Sequence, residues 1–204
     1  MRKKKKRRGC GTLLLVLFSI AVVIVGIGAM VNHYYPLRYI VEIKRYANEY
    51  SLKPEFVCAV IHAESRFNKD AVSEEGASGL MQIIESTAYW LAPKLDMEDF
   101  DYSQIFDPDI NIRMGCYYLN LLDRQYDDTD TALCAYNAGS GNVDMWLNDP
   151  EYSSDGKKLD SIPFLETQDY IKRVTDNQKI YSIILKIRDA PIPLYQKIMN
   201  RIAS

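Results

Sequence analysis

Apolar residues recur at three- and four-residue spacing along most of this chain, and strict alternation is nearly absent. That period belongs to helices buried on one face, so the expected fold class is all-α. Over 38–50, Ile40, Val41, Ile43 and Tyr46–Ala47 mark one such helix. Pro54, at home in a first turn, opens the next, which carries Phe56, Val57, Val60 and Ile61. Further helices are predicted over 86–95, 131–137, 141–147 and 167–188, with Gly139 stopping the second of these. Another runs over 109–126, with Asp109 as N-cap and Ile112, Cys116, Leu119 and Leu122 along one side. Loops fill 68–78, 96–108 and 148–163. The last helix ends at an Asp-Ala-Pro-Ile-Pro breaker, and the tail beyond it puts Leu194, Ile198 and Ile202 at helical spacing, ready to pack on the domain.

A different pattern precedes these helices. Residues 12–31 contain no charge, and a run of roughly 20 apolar residues matches the hydrocarbon thickness of a bilayer. Seven basic residues (Arg2 to Arg8) stand before it, and basic flanks stay cytoplasmic. The expected organisation is a basic cytoplasmic N-terminus over 1–11, a transmembrane anchor over 12–31 and one extracytoplasmic domain over 32–204. The protein is then a single-pass protein of the cell membrane. A cleaved signal peptide is the competing reading, with Gly26, Gly28 and Ala29 near a cut. Its apolar core usually spans only ~7–15 residues. Cys10 lies before the apolar run, where a lipid-modified cysteine would follow it.

Charge and composition narrow the function. The chain has 204 residues, 25 Lys+Arg and 27 Asp+Glu. Setting the N-terminal cluster aside leaves 18 basic against 27 acidic groups, a net of −9. Such a body does not suit duplex nucleic acid, whose phosphates need a basic face. A hydrophobic content of 48% excludes a mostly disordered chain. No CxxC pair, GxGxxG or P-loop pattern occurs, and the two His residues, His33 and His62, form no cluster, so neither a metal nor a cofactor is expected. Cys58, Cys116 and Cys134 sit among apolar neighbours and read as buried free thiols, with one disulfide among them as the alternative.

One carboxylate stands out. Val57, Val60, Ile61 and Glu64 fall at i, i+3, i+4 and i+7, which puts Glu64 on the end of the buried stripe. A carboxylate on an apolar face is disfavoured as the anion, and a raised pKa makes it a usable general acid. The alternative is a helix-end Glu that swings out to solvent. His62 lies off the stripe and reads as a surface or helix-side residue. Asp70, Glu74 and Glu75 lie in a polar loop and read as solvated, and Ser78 reads as exposed.

Beyond Glu64-Ser65 come Gly79-Leu80-Met81-Gln82, then Ala135-Tyr136-Asn137-Ala138-Gly139, then Ile162-Pro163-Phe164-Leu165-Glu166-Thr167 leading to Tyr170 and Val174. In this order and spacing, over roughly 37–188, they resemble the soluble lytic transglycosylase family. Ser140 departs from the pattern at a position where many relatives carry Pro, which touches a loop and not the acid.

The resemblance implies a lysozyme-like single domain, related to goose-type lysozyme. It implies cleavage of the β-1,4 bond between N-acetylmuramic acid and N-acetylglucosamine in peptidoglycan, closing a 1,6-anhydro ring. Glu64 would serve as acid and then base, with no second carboxylate required. By the same analogy Ser65 would hold the helix end, and Ser73 would hydrogen-bond near the acid or the acetamido group. Met81 and Gln82 would line the cleft, Tyr136 and Asn137 would face the sugar or the acid, and Tyr170 would bring a hydroxyl near Glu64. Glu166 would be either a cleft carboxylate or, in the favoured reading, an ion-pair partner orienting the Tyr136 segment. The partners implied are glycan strands and, through the anchor, the membrane. Any cell-envelope protein partner is left open. A lysozyme-type hydrolase with Glu166 activating water, and a non-catalytic peptidoglycan-binding scaffold, are the alternatives.

Overall fold

The computed structural model describes residues 8–190. The basic cluster over 1–7 and the tail over 191–204 lie outside the described residues. Two compact units divide at Leu37 and Arg38. The first holds one long helix, α1 (Arg8–Tyr34). Its Leu13–Tyr34 stretch is long and apolar enough to cross a membrane, and its apolar side chains are exposed throughout. The apolar pattern over 12–31 thus forms a helix a turn longer at each end.

The second unit is built from helices α2 (Ile40–Glu49), α3 (Pro54–Ser65), α4 (Glu85–Leu91), α5 (Pro108–Gln125), α6 (Thr129–Ala138), α7 (Ser140–Leu147) and α8 (Leu165–Asp189). Among the described residues extended structure is limited to isolated bridges pairing Ser78 with Val72 and with Ile83. The all-α expectation therefore holds. Two short 3₁₀ helices, Ala92–Leu95 and Tyr102–Phe106, interrupt stretches read as helix and loop respectively.

The core forms around α3. Val57, Cys58, Ala59, Val60 and Ile61 are five consecutive residues with no exposed surface. A helix apolar all round is a central helix rather than a surface one. It packs most extensively along α8, which brings Tyr170, Ile171, Val174, Tyr181 and Leu185 against it. His62 is accordingly half-buried, edge-on to Tyr181 with ring centroids 5.8 Å apart, and not a surface residue. Burial and the nearby Arg66 charge push its pKa down.

Caps fix the helix ends. The α5 N-cap is Asp107, two residues earlier than Asp109: its carboxylate accepts from the Asp109 and Ile110 amides, with Pro108 in the first turn. Asp109 instead accepts from Tyr46 (2.7 Å) and Arg45 (3.0 Å), which ties α5 to α2. At the end of α3 the chain turns through two consecutive left-handed residues, Arg66 (φ 51°) and Phe67 (φ 63°). The turn drives the Phe67 ring fully into the core and stops the helix just past Glu64 and Ser65. Non-glycine residues cost roughly 1–2 kcal/mol each in this conformation. Cys58, Cys116 and Cys134 are all buried free thiols.

Candidate active site

The C-terminal end of α3 opens into a cleft of about 650 Å³. One wall is the 73–87 segment, contributing Ser73, Glu75, Gln82, Ile84 and Thr87. The other comes from the end of α6 and the start of α8, with Tyr136, Asn137, Phe164, Glu166, Tyr170 and Arg173.

Glu64 lies at the junction of the walls. Its side chain keeps a partial face to the cleft while protein encloses the carboxyl on most sides. Burial raises its pKa to about 7, and the Tyr170 hydroxyl and the Arg173 guanidinium oppose that rise without cancelling it. No carboxylate is among the groups acting on it. The Tyr170 hydroxyl is buried and meets no protein partner at full hydrogen-bond geometry, so Glu64 is the neighbour it acts on electrostatically. Burial first, and then the Glu64 charge, hold the Tyr170 phenol well above its usual pKa of 10.

The wall opposite α8 is set by one buried amide. Asn111 is 1% exposed. Its Nδ2 donates to the Ser78 (3.1 Å) and Ile105 (2.9 Å) carbonyls, and its Oδ1 accepts from the Met81 amide (2.8 Å). Gly79 (φ 82°) passes so close to this amide that a Cβ there would lie 2.8 Å from the Ile105 carbonyl oxygen. Ser65 Oγ donates to the Leu80 carbonyl at 2.8 Å, clamping the C-terminal end of α3 to the same segment. Tyr136 donates to the Met81 carbonyl at 2.8 Å. Gln82, left-handed at φ 48°, donates to the Gly79 (2.8 Å) and Ala71 (3.2 Å) carbonyls.

The residues singled out in the sequence are therefore not all in the same place. Glu64, Ser73, Gln82, Tyr136, Asn137, Glu166 and Tyr170 line the cleft. Met81 does not: it is fully buried, with its sulfur in the space left by Gly115. Its backbone, not its thioether, serves the site. Ser65 likewise does not line the cleft. Ser78 is buried at 3% exposure rather than exposed, because both its backbone groups bridge to Ile83. Asn137 Oδ1 accepts from Thr167 Oγ1 at 2.8 Å, which leaves its amide hydrogens for the cleft. Glu166 is exposed and forms no ion pair among the described residues, so it does not orient the Tyr136 segment by charge.

Cleft residues that the sequence reading did not place there include Glu75, Ile84, Thr87, Tyr118, Phe164 and Arg173. Arg173 had a signal, lying three residues past Tyr170 and seven past Glu166, on one face of α8. Phe164 reads as core by type, yet it is 49% exposed and stands edge-on to buried Trp146 at 4.8 Å.

The Transglycosylase SLT domain family matches residues 42–159. The soluble lytic murein transglycosylase of Escherichia coli (strain K12) is 34% identical over 143 residues, covering 69% of this chain and 22% of that protein. Membrane-bound lytic murein transglycosylase C of Photorhabdus laumondii is 30% identical over 173 residues, covering 71% of this chain and 46% of that protein. An inactive Glu-to-Gln mutant of lytic transglycosylase Slt from Pseudomonas aeruginosa superposes with a TM-score of 0.67 at 31% identity, over 76% of this chain and 26% of that one. The chain thus spans about a quarter of the length of these soluble relatives. With more than half of its residues matched, and with a lysozyme-like helical domain in common, the chain belongs to the transglycosylase SLT domain family.

Proposed function

We propose that this protein is a peptidoglycan lytic transglycosylase held at the cell membrane by α1, with its N-terminus cytoplasmic and its catalytic domain outside. The observation that carries the reading is Glu64: a carboxyl with a pKa raised to about 7, at the floor of a cleft, with no second carboxylate acting on it. Glycosidases that use water or an enzyme nucleophile place two carboxyl groups across the bond. A single acid suits a substrate that supplies its own nucleophile. The P. aeruginosa relative loses activity through one Glu-to-Gln change, which fits dependence on one carboxyl.

In this mechanism protonated Glu64 donates to the oxygen linking muramic C1 to the next sugar's O4, and the C1–O4 bond breaks. The 2-acetamido oxygen of the muramic ring stabilises C1. Glu64, now a carboxylate, takes the O6 proton as O6 attacks C1, so the 1,6-anhydro ring closes and the acid is restored. No water is consumed. The buried Tyr170 hydroxyl acts on Glu64 and steadies that carboxyl, and the amide hydrogens of Asn137 are donors for substrate. Phe164 offers an exposed apolar face for a sugar ring.

The test digests purified peptidoglycan with the detergent-solubilised chain and with Glu64→Gln, and weighs the products. Anhydro ends are lighter than reducing ends by one water. Anhydro-muropeptides are expected from the parent and none from Glu64→Gln. Reducing ends would replace this reading with hydrolysis through Glu166 or Glu75, which share the cleft. Binding to the polymer with no products from either chain would replace it with a scaffold.

A further inference from the structure

α8 is apolar on two sides. Its core side carries Val174, Tyr181 and Leu185. On the opposite side of its last turns Ile180, Ile183, Ile184 and Ile187 fall at i, i+3, i+4 and i+7, a second apolar stripe. Ile183 is 59% and Ile187 72% exposed, and Ile180 and Ile184 keep a partial face to solvent. Helix propensity does not account for four isoleucines, since Leu, Lys and Glu favour a helix more. A contiguous exposed apolar face of this kind marks a contact. Cations edge it: Lys179 and Lys186 on one side, Arg188 on the other. Lys186 and Arg188 pair with no carboxylate among the described residues. An apolar helix face edged by Lys and Arg suits the headgroup layer of an anionic bilayer. The stripe also lies at the end of the domain that follows the anchor. Asp189, which closes α8, pairs with Lys44 of α2 at 2.7 Å. Only residues 35–39 separate α2 from the end of α1, a reach of roughly 20 Å of extended chain. Val41, one turn before Lys44, is exposed as well.

We propose that this stripe docks the domain onto the anionic phospholipid surface of the membrane that α1 enters, with the isoleucines below the headgroups and Lys179, Lys186 and Arg188 among the phosphates. Two other occupants match the charges less well. A second copy would set like cations against each other, and the tail over 191–204 brings Lys197 and Arg201 and no acid. The proposal rests on the membrane-anchored reading and not on the chemistry at Glu64. Docked in this way, the cleft works on glycan strands lying next to the bilayer.

The experiment places the full chain in lipid nanodiscs of phosphatidylcholine, alone or mixed with phosphatidylglycerol. An environment-sensitive dye is attached at position 187, through Ile187→Cys in a Cys10→Ser chain, with the three buried cysteines left unlabelled. Ser154→Cys, in an exposed loop, carries the control dye. With phosphatidylglycerol present the dye at 187 should shift to the blue and be quenched by brominated lipid, while the dye at 154 stays in water. Lys186→Gln and Arg188→Gln should each lower the docking equilibrium roughly fivefold, added salt should erode it, and Ile183→Ser should abolish the quenching. Equal emission at 187 in the two lipids overturns the proposal. So does shielding that rises with protein concentration, which assigns the face to a second copy, or shielding that vanishes when 191–204 are removed, which assigns it to the tail. Should Ile183→Ser unfold the domain, the two charge variants decide, since they alter only exposed groups. Co-elution of chain and disc judges the anchor separately: a chain that leaves the discs sinks the anchored reading, whereas one that stays, with the dye at 187 in water, sinks only the docking.

Discussion

At the scale of single residues, the proposed mechanism makes Glu64 set the pH behaviour. It needs the protonated form, so the rate should fall above a limb near pH 7. Arg173 pulls that pKa down, so Arg173→Gln should move the limb to higher pH, as a kcat/KM profile on solubilised strands would show. The same shift bears on stability. A carboxyl whose pKa rises on folding, here from 4.5 to about 7, binds its proton more tightly in the native state. Its contribution is favourable below 4.5 and is lost as pH rises through about 7. Glu64→Gln should therefore stabilise the fold at pH 8 by roughly 1–3 kcal/mol, allowing for water in the cleft, seen as a higher Tm, and leave Tm nearly unchanged at pH 4. The position of Glu64 was readable because helical period alone puts it on the stripe. Met81 was not, since a motif fixes neighbours in sequence but not which way a side chain faces. The left-handed turn at Gln82 aims residue 82 into the cleft while Met81 fills the hole at Gly115. Tyr136 was half readable: its ring lines the cleft, while its hydroxyl is committed to the Met81 carbonyl.

At the scale of elements, the site depends on how the 71–83 segment is held. It has little regular structure of its own and borrows rigidity from Asn111, Ser65, Tyr136 and Tyr102, the last reaching the Ile83 carbonyl at 2.8 Å. Asn111→Ala would take the side-chain partner from the buried Met81 amide and the Ile105 carbonyl, while the Ser78 carbonyl keeps the Ile83 amide, a loss of about 3 kcal/mol. Chemical denaturation should show it, along with a fall in kcat out of proportion to any change in KM. Sequence marked this segment only by its glycines. The seven domain helices were legible to within a few residues because their apolar period is strong. The α5 cap was displaced because two aspartates flank Pro108, and only the fold shows that Asp109 is drawn to Tyr46 and Arg45. The 3₁₀ helix Tyr102–Phe106 is too short to display a period. Its capping box, Asp101 with Gln104, was the one available signal.

At the scale of the whole molecule, a charged domain follows one apolar helix, and the two form separate compact units. A chain lacking residues 1–37 should partition into the soluble fraction, while the full chain sediments with membranes and resists extraction by salt; a shift of the full chain into the salt wash would argue against an anchor. On the proposed topology the domain meets oxidants outside the cell, and here the three buried cysteines acquire a meaning. Burial pushes the Cys58 and Cys134 thiols up to about 12 and Cys116 further still. The reactive species is the thiolate, so these thiols are chemically silent while the fold is closed. The closed core thus shields the three thiols from oxidation. In a Cys10→Ser chain, alkylation of the domain by a thiol reagent becomes a clock for global opening: its rate should match that of unfolding, with all three sites labelled together.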